Sequence, residues 1–136
     1  MLQLIVGKKG TGKTKQLISM VNDAVGVSKG KVACIEKGTK LTYDINHDVR
    51  LLNTDSFQIT GYDAFYGFLA GIVASDYDVK EIYVDSLTKI VGSDLNAIET
   101  FLEEVNLLSS NEEISFTMTI SVDAGELPEK VKKFII

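Results

Sequence analysis

The sequence contains one cysteine, and none of its apolar stretches approaches the roughly 20 residues that cross a membrane. Cys34 has no partner for a disulfide within the chain, which favours a reducing compartment, and its position inside an apolar run is typical of a core residue. No secretory signal is visible either, since the first apolar stretch is only as long as a strand. These absences predict a cytoplasmic protein with no membrane segment.

Arginine is equally scarce, because Arg50 is the only one in the chain. Phosphoryl-transfer enzymes commonly use an arginine to balance the charge of the transition state, and its removal costs a factor of ~10³ to 10⁵ in rate. Arg50 lies in a loop-to-strand segment, which is more typical of a surface residue. A phosphoryl-transfer activity would therefore be slow, or would take the missing group from a protein partner or by self-association.

Charge and length exclude further classes of protein. The net charge is −5 and no basic stripe is present, so we do not expect nucleic acid as a partner. The 136 residues suffice for one hydrophobic core but not for a nucleotide-binding domain with a separate substrate domain. We predict a single domain over residues 1–136. His47 has no second histidine or cysteine at ligand spacing, so no metal site is expected there.

What the chain does contain is a phosphate-binding sequence directly after its first apolar run. The pattern G-x-x-x-x-G-K-[ST] is matched at every fixed position. Glycines let the backbone N–H groups approach a polyphosphate closely, the lysine reaches its β- and γ-phosphates, and the threonine hydroxyl binds Mg²⁺. Lys13 is also the predicted catalytic lysine. The predicted nucleotide-binding residues are Gly7, Lys8, Lys9, Gly10, Thr11, Gly12, Lys13 and Thr14.

Apolar periodicity predicts strands that alternate with helices. Such an order implies a mostly parallel sheet in a three-layer α/β sandwich, with the ligand at the carboxyl ends of the strands. Gly67 and Gly71, one turn apart in the second helix, are expected to allow close packing against a neighbouring element. Strands are predicted over 2–6, 32–35, 49–52, 82–84 and 114–122. Helices are predicted from Lys13 to about Val25, from a Thr60–Asp63 capping box to about Ala74, from an N-cap at Ser93 to Leu108, and from Pro128 to Ile136.

A second chemical signal is Asp85, which follows the apolar run 82–84. A carboxylate at the end of a strand beside a phosphate-binding loop is well placed to hold the Mg²⁺ shell. We predict Thr14 and Asp85 as the metal-associated residues, with Mg²⁺ and ATP as the cofactors.

At these residues the chain resembles the P-loop NTPase superfamily, and specifically its RecA-like branch. The resemblance rests on the 7–14 loop, the strand-end acid Glu36, the Walker-B-like segment 82–88 and the polar end of the last strand. It implies that Glu36 is the general base that activates water, that Asp85 is the Mg²⁺-associated carboxylate and that Ser121 is a sensor of the γ-phosphate. The whole chain is also similar to short stand-alone bacterial P-loop proteins of uncharacterised role.

The chain departs from that superfamily at specific positions. Ser86 follows Asp85, so the Asp-Glu pair that many ATPases use to activate water is missing. The several arginines of nucleoside and nucleotide kinases are missing too. The Asn/Thr-Lys-x-Asp pattern that selects guanine is absent, so ATP is favoured by default and GTP stays open.

Two hypotheses of different classes follow. The first is a protein that binds Mg²⁺·ATP and hydrolyses it slowly, with Glu36 positioning the water. The second is a nucleotide-binding regulatory or interaction module with little hydrolysis, in which the polar segment 37–61 responds to the phosphate state. A third reading, a loop that is kept but not used, predicts that Lys13→Ala changes nothing measured with nucleotide.

Overall fold

The computed structural model describes all 136 residues. Its strands are β1 (Leu2–Val6), β2 (Lys31–Glu36), β3 (Arg50–Asn53), β4 (Val79–Val84) and β5 (Ser115–Ile120), and its helices are α1 (Lys13–Val27), α2 (Tyr62–Ser75), α3 (Leu87–Val91) and α4 (Ile98–Glu112). The five strands form one sheet in the order β1-β5-β4-β2-β3, and every pairing is parallel. The predicted α/β fold with a mostly parallel sheet is confirmed.

Helices cover both faces of the sheet and make it the middle of three layers. On one face, α1 and the 37–49 loop pack over a core that includes Leu17 and Cys34. On the other face, α2, α3 and α4 pack over a larger core that includes Phe65 and Phe116. Successive residues of a strand point to opposite faces, so strands buried on both sides are apolar almost throughout.

The carboxyl ends of the parallel strands meet at one edge of the sheet. In the register, Val6 lies opposite Ile120 and Val84 lies opposite Met118. The segments that follow β1 and β4 consequently flank the end of β5. This is the edge at which open α/β sheets bind their ligands, and the predicted phosphate loop, metal carboxylate and sensor all follow these three strands.

The region between β4 and α4 differs from the sequence prediction. α4 begins at Ile98 rather than after Ser93, and the short helix α3 was not predicted. Gly92 ends α3 with φ 103°, and the chain turns through the next five residues before α4 starts. A five-residue helix is too short to give a helical repeat in the sequence, so no element was predicted between the strand 82–84 and Ser93.

The predicted capping box at Thr60 and Asp63 is wrong. α2 begins at Tyr62, its N-cap position is Gly61 with φ 86°, and no side chain caps the helix. The N–H of Gly61 instead donates to the Ile90 carbonyl at 3.2 Å, which joins the start of α2 to α3.

The C-terminal segment lies along the outer edge of β1. The predicted final helix is a 3₁₀ helix over Glu129–Phe134, directly after Pro128. Ile135 then forms a parallel bridge with Leu4, and the Ile136 N–H donates to the Leu4 carbonyl at 2.9 Å. None of the α-helices combines the length and the apolar composition that a membrane crossing needs.

The expectation that Gly67 and Gly71 permit close packing is also wrong. Both glycines are exposed on α2, and a Cβ built at either position would have no heavy atom within 4 Å. Neither glycine has positive φ. Both positions therefore have space for a side chain and a backbone conformation that alanine adopts readily.

We expect Gly67→Ala and Gly71→Ala each to raise the free energy of unfolding by about 0.4 to 1 kcal/mol, because alanine restricts the unfolded chain and favours the helix. Urea unfolding measures the change. Gly61→Ala is the matched control and should destabilise the protein, since Gly61 has φ 86°. A loss of stability in either α2 variant would contradict the packing described for this helix.

Candidate functional site

The 7–14 loop adopts a backbone that requires glycine at two positions. Gly10 and Gly12 have φ of 86° and 84°, in the left-handed region, and α1 starts at the next residue, Lys13. A Cβ at Gly7 would lie 2.8 Å from the Thr11 hydroxyl oxygen, too close for a real contact. The glycine spacing is thus explained by the loop conformation, which leads from β1 directly into the N-terminus of α1 and its unpaired N–H groups.

The Lys13 side chain folds back over this loop. Lys13 as a whole is only 8% exposed. The Nζ atom donates to the Lys8 carbonyl oxygen at 2.8 Å and lies 3.4 Å from the Thr11 hydroxyl, which itself donates to the Lys8 carbonyl at 2.8 Å. The amine is held by neutral acceptors and forms no ion pair. Its charge is therefore uncompensated and available to an anion in the loop.

A hydrogen bond joins the start of α1 to the end of β4. The Thr14 hydroxyl donates to Asp85 Oδ1 at 3.0 Å, across 71 residues of sequence. This contact brings together the two residues predicted to hold Mg²⁺. Divalent magnesium is usually bound through one or two carboxylates together with substrate phosphates, and a hydroxyl keeps free lone pairs while it donates. No group of three or more Asp, Glu, His or Cys residues is arranged to hold a metal ion, so Thr14 and Asp85 fit a cation shared with phosphates rather than a protein-only cage.

Thr119 is a site residue that sequence analysis missed. It is completely buried in β5, and its hydroxyl donates to Asp85 Oδ1 at 3.1 Å while it accepts the Ser86 N–H at 2.6 Å. Ser86 has φ 59° in the left-handed region. Thr119 therefore fixes both the Asp85 carboxylate and the strained turn that follows it. The only signal in the sequence was the row of hydroxyl residues in β5, which gives no indication of register.

Ser121 follows β5 and lines a cavity with residues of the 7–14 loop and the start of α3. The cavity encloses about 230 Å³ and has no apolar residue in its lining. This is smaller than the ~300 Å³ at which pockets for drug-sized ligands begin. The lining residues are Lys9, Gly10, Thr14, Ser86, Thr88, Lys89 and Ser121.

Glu36 is the last residue of β2, and Asp85 directly follows the neighbouring strand β4. The Glu36 carboxylate is bound by backbone N–H groups of the loop that follows it. Glu36 is 3% exposed, and its two oxygens accept the N–H groups of Lys40 and Leu41 at 3.1 and 3.0 Å. Burial raises the pKa of Glu36, and the charge of Asp85 raises it further, while the two backbone hydrogen bonds act in the opposite direction. The carboxylate anchors the 37–49 loop in this structure, and its role as the general base stays a prediction.

Other candidates lie away from this edge. Arg50 is exposed at the amino end of β3, on the far side of the sheet from β1. Four strand spacings of ~4.8 Å put it roughly 19 Å away across the sheet, so it cannot reach the 7–14 loop. Tyr62 and Tyr66 line a separate small cavity beside α4. His47 is exposed in the 37–49 loop, in no group of metal-ligating residues.

Cys34 is a core residue in the middle of β2. It is fully buried, and burial, with smaller contributions from the charges of Asp85 and Glu36, raises its pKa to about 12. The side chain is therefore a neutral thiol at neutral pH and is not a nucleophile in the folded protein.

Comparisons with known proteins leave the family open. A scan against protein-family models found no match, and a search of curated proteins found no relative with significant similarity.

Proposed function

We propose that this protein binds a Mg²⁺-nucleoside triphosphate, ATP in the first place and GTP as the alternative, in the manner of a P-loop NTPase, and hydrolyses it slowly. The observation that carries this proposal is the 3.0 Å hydrogen bond between Thr14 and Asp85. It connects the predicted phosphate loop with the predicted metal carboxylate at the edge where α/β sheets bind ligands.

The roles of the side chains follow from their positions. The N–H groups of the 7–14 loop and the Lys13 amine would contact the phosphates, and Thr14 and Asp85 would hold a magnesium ion, which would neutralise phosphate charge. In the reaction a water oxygen forms a bond to the γ-phosphorus, the bond from that phosphorus to the β,γ-bridging oxygen breaks, and the electron pair leaves with the nucleoside diphosphate. A water proton is released to solvent through a general base, for which Glu36 is the candidate.

Three features support slow turnover. Arg50 lies at the wrong end of the sheet to balance transition-state charge. Ser86 stands where many ATPases have a glutamate. Both oxygens of Glu36 are already bound by loop N–H groups, so the carboxylate must exchange these partners before it can accept a proton from water.

The same contacts of Glu36 favour the regulatory module as the second candidate. Glu36 adjoins Asp85 and also anchors the 37–49 loop, which Asn22 of α1 ties down through the Asp44 carbonyl and the Asn46 N–H. A change at the metal carboxylate therefore has a short physical route to a loop at the surface. Phosphate release under saturating nucleotide separates the two functions, because the module predicts little or none, whereas the slow hydrolase predicts repeated turnover.

Thermal unfolding with Mg²⁺ and ATP, GTP or ADP tests nucleotide binding. A ligand that binds only the folded state stabilises it by ~2.7 kcal/mol at one hundred times its Kd, so the midpoint should rise by several degrees. Lys13→Ala should abolish the rise, because it removes the buried amine of the loop. Lys15→Ala, an exposed lysine of the same helix turn, is the matched control and should keep it. No rise in the wild-type protein with any nucleotide would refute the proposal.

A further inference from the structure

The polar cavity beside Ser121 has two walls that belong to different parts of the fold. One wall is the 7–14 loop with the first turn of α1, and the opposite wall is the turn after β4 with α3. Leu87 and Ile90 of α3 are almost completely buried, so the position of this helix against the sheet is fixed by packing. Lys89 lies between them in sequence, on the solvent side of α3, and lines the cavity.

The lining of the cavity is cationic, with the Asp85 carboxylate just behind it, hydrogen-bonded to Thr14 and Ser86. Lys9 and Lys89 both line it, and neither forms an ion pair in the structure, whereas Lys8 pairs with Asp123 at 3.9 Å. None of the lining residues is acidic, and the other side chains in the lining are hydroxyls. Two cations and several hydroxyl donors around a space of about 230 Å³ are a suitable environment for an anionic group such as a phosphate.

From this arrangement we infer that the cavity holds the terminal phosphate of the bound nucleotide and that Lys89 contacts this phosphate from α3, across the cavity from Lys9. This inference rests on the proposed function and deepens it. Lys89 thereby supplies one positive charge that Arg50 cannot supply from the far edge of the sheet, but without the bidentate geometry of an arginine, so turnover stays slow. Because the contact is made to the γ-phosphate, it should distinguish ATP from ADP and should strengthen as charge spreads over the equatorial oxygens during transfer.

The test compares the affinities for ATP and ADP, with Mg²⁺, in four proteins: wild type, Lys89→Ala, Lys89→Arg and Lys130→Ala. Lys130 is an exposed lysine outside the cavity and controls for the loss of one charge. We expect Lys89→Ala to lower the affinity for ATP about tenfold and leave that for ADP unchanged, since a hydrogen bond to a charged group is worth on the order of one decade or more. Lys89→Arg should keep most of the preference for ATP.

Two different failures can be told apart. If the wild-type protein binds neither nucleotide, the proposed function falls and the inference falls with it. If the wild type binds both but Lys89→Ala keeps the wild-type ratio of ATP to ADP affinity, or loses affinity for both equally, the role of Lys89 is refuted while nucleotide binding stands.

Discussion

Asp85→Asn is expected to shift the Mg²⁺ concentration required for nucleotide-dependent stabilisation upward by about 10- to 100-fold. Asp85 is the only carboxylate that contacts Thr14, and groups that orient a metal ligand typically contribute this much to metal affinity or activity. The substitution removes the negative charge but keeps an oxygen that can accept from both Thr14 and Thr119. The stability of the nucleotide-free protein should therefore change little, which separates a metal effect from unfolding.

The measurement is a Mg²⁺ titration of the unfolding midpoint at fixed ATP concentration. Asp23→Asn, at an exposed position of α1, makes the same change of charge away from the site and should reproduce the wild-type titration. Equal Mg²⁺ dependence in Asp85→Asn and wild type would remove Asp85 from the metal site and would leave its hydrogen bonds with a purely structural role.

Phe65→Ala is expected to lower the free energy of unfolding by about 3 to 5 kcal/mol. Phe65 is completely buried where α2 packs on α4, and its ring stacks at 5.9 Å on Phe101 and at 6.5 Å on Phe68. Truncation removes the ring from the larger core and leaves a cavity that the surrounding helices cannot fill. The loss is a large fraction of the ~5 to 15 kcal/mol that stabilises a typical domain.

Urea unfolding without nucleotide measures this loss, and Phe57→Ala provides the comparison. Phe57 packs on the same Phe68 ring at 5.8 Å but is 53% exposed, so its truncation should cost much less, on the order of 1 kcal/mol. Similar losses in the two variants would mean that the interface of α2 with α4 is not packed as described.

The fold class was accessible from the sequence because it depends on signals that are local. Each buried strand is a short apolar run between turn signals, and the main helices carry an apolar repeat or follow a motif of fixed spacing. The 7–14 loop depends most completely on local signals. The backbone angles at positions 10 and 12 favour glycine, and no distant partner is needed to explain Gly10 and Gly12.

The contacts that complete the candidate site could not be predicted in the same way. Thr119 meets Asp85 only because β5 lies beside β4 in one particular register, and that register depends on tertiary packing. Lys89 lies on a helix too short to leave a periodic pattern. Glu36 was assigned a role from resemblance alone, whereas its hydrogen bonds to the following loop depend on how that loop folds over the strand end.

The measurement that tests nucleotide binding most directly uses the single cysteine as a reporter. Cys34 is fully buried, so a thiol reagent reacts with it only when the protein opens. In wild type, Mg²⁺·ATP at one hundred times its Kd should slow the labelling of Cys34 about 100-fold, because binding lowers the population of the open state by that factor. Lys13→Ala should show no such protection. Labelling of the wild type at the same rate with and without Mg²⁺·ATP or Mg²⁺·GTP would contradict the account.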